Sequence, residues 1–315
     1  MKNNFWQKLN KPFYCLAPIA GVSDSAFRQM CKAYGADVVY SEMASVNALV
    51  HGAKKTLEML QFDESERPYV VQLFGSDPEN FKKAVEIIER EIKPDGIDIN
   101  FGCPVPKVAK QNAGAELGKD LVQSRKVIEA VLSVATVPVS VKIRKKVGEV
   151  NALQFLDNIR DLDVKAVMIH GRDLKQMHAG PVDADIIRQA REHFKGVIIA
   201  NGGVKDEKSA QELLVGSGAD GLGIAQGAFG KPWVFRQLKI KSAEAEEINL
   251  EEIFKIALQH AELVFKLKGQ TGILEMRKHL CWYVQGIPGA RKLREEFVRV
   301  ETLDDIKNII KKNVA

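Results

Sequence analysis

Along the first 240 residues, short apolar runs rich in β-branched side chains alternate with longer stretches whose apolar positions recur at helical spacing. The runs fall at 13–19, 37–41, 69–74, 96–100, 137–143, 164–170, 196–201 and 219–224. Between two of them, the segment 77–92 carries Phe81, Val85, Ile88 and Ile92 every three or four residues, which predicts an amphipathic helix. Runs that are nearly all apolar predict strands buried on both faces, hence a parallel sheet under helices. Eight such units in this length predict a (β/α)8 TIM barrel. An open doubly wound sheet is the weaker alternative, because eight strands fill the segment and no G-x-G-x-x-G opens the first crossover.

The pattern changes after residue 240. Residues 241–248 read as a polar connector. Asn249 with Glu252 then forms a capping-box pair for a helix reaching about Leu267, and further helices are expected near 273–285, 290–298 and 302–312. Thr302 with Asp305 marks the last N-cap. The chain thus divides into a catalytic barrel at 1–240 and a small helical domain at 241–315.

Composition narrows the class without naming a partner. The chain of 315 residues is 45% hydrophobic and 28% charged, with a net charge of +5, which excludes disordered and fibrous classes. A surplus this small permits a polyanionic partner without requiring one. From 248 onward twelve Lys/Arg face nine Asp/Glu, so much of the surplus lies in the helical tail. No apolar run is long enough to span a bilayer, and the N-terminus lacks the apolar core of a signal peptide. The cysteines at 15, 31, 103 and 281 have no metal or disulfide spacing. A reduced, cytoplasmic protein without metal is expected.

In a barrel the reactive site lies where strands end at their C-termini. Those ends carry Pro18, Ile19 and Ala20, Gln72, Asn100 to Pro104, Lys142 and Arg144, His170 and Arg172, Asn201 to Gly203, and Ala225 with Gln226. Polar residues at the ends of buried strands need partners, and a bound polar ligand supplies them. A free cysteine is usually a small buried hydrophobe. Cys103, however, sits between Gly102 and Pro104 in a tight loop at the mouth and is the catalytic candidate, whereas Cys15, Cys31 and Cys281 read as packing. Lys142 would stabilise negative charge on a bound group such as a reduced flavin, and His170 with Arg172 reads as ligand-binding. Gly202 and Gly203 after the seventh strand suit a phosphate-bearing cofactor.

The motifs A-P-I-A-G-V-S-D (17–24), V-Q-L-F-G (71–75), N-F-G-C-P-V-P-K (100–107), V-K-I-R (141–144), H-G-R (170–172), A-N-G-G (200–203), G-K-P-W (230–233) and the tail at 277–290 resemble the tRNA-dihydrouridine synthases, in particular the bacterial DusB type. The resemblance runs over essentially the whole chain. It implies an enzyme that uses FMN, reduced by NADPH, to pass a hydride to C6 of a uracil in tRNA, with Cys103 protonating C5. It further implies that Asn100 orients the uracil, with Arg144 and Arg172 also on the substrate. Pro18 to Ala20 and Gln72 would hold the isoalloxazine, and Lys142 and His170 its polar edge. Asn201, Gly202 and Gly203 would bind the phosphate with Ala225 and Gln226. This last pair stands where the family carries Gly-Arg, so the chain lacks a charged phosphate contact there and is expected to hold FMN less tightly. The helical tail would grip the RNA, and a monomer is expected. Two other readings compete: a small-molecule FMN oxidoreductase of the dihydroorotate or dihydropyrimidine type, and a flavin-free RNA-binding protein.

Overall fold

A computed structural model describes residues 4–240 and 248–314. The expected connector at 241–248 lies almost wholly outside the described residues. Eight parallel strands close a barrel: β1 (Phe13–Leu16), β2 (Val38–Ser45), β3 (Tyr69–Phe74), β4 (Gly96–Asn100), β5 (Val139–Arg144), β6 (Ala166–His170), β7 (Val197–Asn201) and β8 (Gly221–Ile224). Closure is direct, Phe13 pairing with Gly221 and Cys15 with Val38. Helices follow the strands in turn: α1 (Ser25–Ala33), α2 (Val46–Val50), α3 (Pro78–Glu91), α4 (Leu121–Val134), α5 (Ala152–Asn158), α6 (Ala184–His193), α7 (Glu207–Ser217) and α8 (Val234–Lys239). The predicted helix at 77–92 is α3, started by the Asp77 side chain, which accepts from the N–H of Asn80.

Side chains alternate along each strand, as the two-residue period requires. One set, including Leu16, Val71, Ile99, Val141 and Ile169, packs outward beneath the helices. The other fills the barrel with Phe13, Cys15, Tyr40, Met168 and Ile199, and Trp6 closes the floor. At the opposite end the inward set turns polar, and the register brings that polar layer together. Asn100 pairs with Lys142, Arg144 with His170, and His170 with Asn201.

The chain then runs into α9 (Leu250–Tyr283), α10 (Ala290–Phe297) and α11 (Leu303–Val314). The two helices expected at 249–267 and 273–285 form one run broken at Gly269, whose φ of 59° and ψ of −145° are not helical. The Asn249 side chain accepts from Glu252 N–H, and Thr302 and Asp305 cap each other reciprocally. A separate apolar cluster, including Phe254, Met276, Leu280 and Phe297, joins α9–α11 to Ala26 and Met30 of α1.

Two histidines of α9 are buried in that contact, with ring centroids 5.6 Å (His260) and 5.2 Å (His279) from Phe27 of α1. Burial pushes His260 down to about 4 and His279 well below its ordinary range, more strongly than the Asp24 carboxylate can oppose. An unfolded histidine titrates near 6.5, so below that pH the unfolded chain takes up protons that the folded chain refuses. Each histidine then removes about 1.4 kcal/mol of stability per pH unit as the pH falls from about 6.5 toward its folded value. The melting temperature is therefore expected to drop steeply between pH 7 and pH 5. A flat profile over that window would contradict the neutral, buried pair.

Candidate active site

The loop after β4 holds Cys103, and a chain of amides fixes it. Asp98, inside the barrel, accepts from Gln72 Nε2 (2.8 Å) and Ser140 Oγ (2.6 Å). Gln72 Oε1 accepts from Asn100 Nδ2 (3.0 Å), and Asn100 Oδ1 accepts from the N–H groups of Gly102 (3.0 Å) and Cys103 (2.9 Å). From the other side Arg144 Nε donates to the Gly102 carbonyl (2.8 Å) and Ala115 N–H to the Cys103 carbonyl (3.0 Å). Gly114 closes over the loop because a Cβ there would lie 2.9 Å from the Cys103 oxygen. The thiol is thus held by backbone bonds on both sides and half-buried at the mouth. Burial raises its pKa above the ordinary thiol value, outweighing Lys142 and Arg144, so at neutral pH it keeps its proton.

Beside it, Lys142 Nζ donates to Asn201 Oδ1 (3.2 Å), while Asn201 Nδ2 donates to the Gly223 carbonyl (2.7 Å). Burial first, then repulsion from Arg144, pushes Lys142 down to about 8. His170 is held far below its ordinary range by burial and by Lys142, Arg144 and Arg172, so it is neutral. These groups line one cavity of about 970 Å³, which also takes in Pro18, Ile19, Ala20, Arg172, Asn201 to Gly203, Ala225 and Gln226. Of the strand-end residues expected from the sequence, all but Phe101, which packs in the core beneath the helices, are brought together here. Among the residues lining this cavity are five Lys or Arg side chains and no carboxylate, which suits an anionic ligand.

At one end of the cavity the backbone lies bare. Gly202 and Gly203 have φ of 113° and 76°. The loop after β8 abuts them so tightly that a Cβ on Gly227 would lie 2.2 Å from the Val204 carbonyl oxygen. Gln226 is exposed there. Positive charge at this end comes from Lys205 and Lys231 on the two loops and from Arg172. Arg172 Nη2 sits 3.7 Å from where a Gly203 Cβ would be. The residues fit a phosphate group: open glycine backbone, cations, and no competing acid.

Several residues that build the site, in its wall or behind it, are not among the sequence candidates. Asp98 hides in an apolar strand, and its one signal is a carboxylate at an inward position; burial raises it to about 6. Phe229 and Trp282 stack at the rim, with centroids 4.2 Å apart and planes 18° from parallel. Trp282, Gln285 and Gly286 reach the cavity from the end of α9 and the turn beyond it. Among the described residues there is no cluster of metal-ligating side chains and no helix long and apolar enough to cross a membrane.

The sequence profile of Dihydrouridine synthase (Dus) matches residues 15–315. The tRNA-dihydrouridine synthase B of Pseudomonas aeruginosa is 32% identical over 295 residues, covering 92% of this chain and 89% of its own. That of Pasteurella multocida is 34% identical over 305 residues, covering 94% and 90%. Among solved structures, TcOYE with pHBA aligns over 76% of this chain and 91% of its own at 10% identity and a TM-score of 0.53. Histamine dehydrogenase from Rhizobium sp. 4-9 aligns over 80% and 48% at the same identity and score. These two likenesses concern the barrel fold alone. With its profile match spanning nearly the whole chain and relatives above 30% identity, the protein belongs to the dihydrouridine synthase family.

Proposed function

We propose that this protein reduces the C5=C6 bond of uridines in tRNA to 5,6-dihydrouridine, with FMN as its cofactor and NADPH as the reductant. The observation that carries the reading is a thiol whose loop is fixed on both sides by backbone bonds, at the mouth of a cavity lined by cations and ending in bare glycine backbone. FMN, when bound and reduced, supplies the hydride that goes to C6. Cys103 Sγ gives its proton to C5, where charge develops as the hydride arrives. Asn100 and Gln72 keep the thiol loop in register, and Lys142 opposes negative charge at the polar edge of the ring system. Asn201, Gly202 and Gly203 would hold the phosphate, with Arg172 or Lys231 in the place of an arginine at 226.

A uracil inside folded RNA must leave its stack to enter such a cavity, so the enzyme needs a surface that grips RNA outside it. Residues 241–315 are the helical tRNA-binding domain in this reading, and 1–240 the FMN-binding barrel. The test is the nucleoside mass after unmodified tRNA is incubated with the protein, FMN and NADPH. A gain of two hydrogens on uridine is expected. A protein that holds reducible flavin, leaves tRNA unchanged and reduces a free pyrimidine would overturn the tRNA assignment.

A further inference from the structure

The cavity is flanked by two loops, residues 17–24 after β1 and residues 225–231 after β8, and a single helix of the C-terminal region holds both. In the first loop the Ile19 carbonyl accepts from Val22 N–H (3.1 Å) and Ser23 N–H (3.0 Å), and Ser23 Oγ accepts from Ile19 N–H (3.0 Å). These bonds make a tight turn whose inner edge, Ala17 to Ala20, lines the cavity. Gly21 sits at the apex with φ of 73°, and both its backbone polar groups are taken by charged side chains. Its N–H donates to the Glu42 carboxylate of β2, and its carbonyl accepts from the Lys278 ammonium of α9. In the second loop Gly230 lies against the end of α9 so closely that a Cβ would come within 2.3 Å of the Trp282 carbonyl carbon. Phe229 completes the contact by stacking on Trp282.

We propose that Lys278 is a positioning residue for the cofactor: through the Gly21 carbonyl it holds the 17–24 turn in the shape that receives the flavin ring. The proposal rests on the reading that the cavity takes FMN. It makes α9 part of the cofactor site as well as the RNA-gripping segment.

FMN affinity, read by flavin fluorescence without RNA or turnover, tests it. Lys278→Met removes a charge-assisted hydrogen bond and is expected to weaken FMN about tenfold, while Lys278→Arg keeps the donor and stays near the parent value. Lys268 is the comparison: it bonds the side chain of Asp24 (2.6 Å), the N-cap of α1, and no backbone group of the turn that Ile19 and Ser23 close. Lys268→Met also loosens α9 from the barrel but should leave FMN affinity unchanged. Parent-like binding by Lys278→Met would overturn the proposal, as would equal losses in Lys278→Met and Lys268→Met, which would reflect general loosening. Failure of the parent protein to bind FMN would instead overturn the cofactor reading on which it rests.

Discussion

Cys103→Ala is expected to slow dihydrouridine formation by about 10²- to 10⁴-fold, the range ordinarily lost with a positioned general acid. FMN binding and reduction of the bound flavin by NADPH should remain, because the thiol holds neither the phosphate end nor the Lys142 edge of the cavity. Serine should rescue little. Its hydroxyl is a far weaker acid than a thiol, while the loop geometry that Asn100 and Arg144 impose would be unchanged.

The remaining rate in Cys103→Ala has a predicted signature. His170 is neutral and far below its ordinary range, so it has no proton to spare from an imidazolium. Lys142, pushed down to about 8, is the cavity group that keeps a proton at neutral pH and gives it up just above, whereas burial pushes the cavity's second histidine, His178, below its ordinary value. The strand of Lys142 adjoins the Cys103 loop, but the ammonium is engaged by Asn201, which makes it a less well placed substitute. Residual reduction should therefore decline as pH rises through about 8, where Lys142 loses its proton. Single-turnover measurement of dihydrouridine by nucleoside mass checks both statements. A Cys103→Ala rate within twofold of the parent would remove the thiol from the mechanism.

The barrel is readable in the sequence because its strands are buried on both faces and its helices on one, so two different periods alternate eight times. Strand ends are less sharp. The run at 13–19 stops as a strand at Leu16: Pro18 has no N–H for the ladder, and the chain leaves the sheet to line the cavity. The run at 37–41 continues instead to Ser45, across a register shift between Tyr40 and Met43. A two-stranded hairpin at 146–147 and 150–151 gives too short a pattern to stand out.

The site is legible for a related reason: a parallel barrel gathers the end of every strand at one mouth, so position along each strand suffices to nominate Gln72, Asn100, Lys142, His170 and Asn201. What sequence position does not carry is the partner of each side chain. Asn100 spends its oxygen on the Cys103 loop, and Arg144 donates to the carbonyls of Gly102, Asp173 and Met177, so both act first as builders of the cavity. Nor does it show that Trp282, some 180 residues away in the chain, completes the same wall as Cys103. That contact depends on how α9 packs against α1, which no local pattern encodes.

Gly202→Ala should yield a folded protein that no longer retains FMN, with affinity at least about 100-fold weaker, equivalent to about 2.7 kcal/mol. Two independent costs combine. At φ of 113° the backbone is in a region that L side chains rarely adopt, a strain of about 1–3 kcal/mol. The new methyl would also lie 2.7 Å from His170 Cδ2 and 2.9 Å from Nε2, forcing the ring off its place at the polar edge of the cavity. His170 has little room to yield, being buried and next to the Arg172 guanidinium at 3.5 Å. Gly218→Ala separates strain from occlusion. Gly218, the C-cap of α7, also has positive φ (57°), but open space surrounds its would-be Cβ. That variant should lose about 1 kcal/mol of stability and no FMN affinity. Flavin fluorescence titration together with the melting temperature of each apoprotein resolves the two effects. If Gly202→Ala binds FMN as the parent does, the phosphate end of the cofactor does not lie on the bare backbone after β7, and the cations Lys205, Lys231 and Arg172 serve another anion.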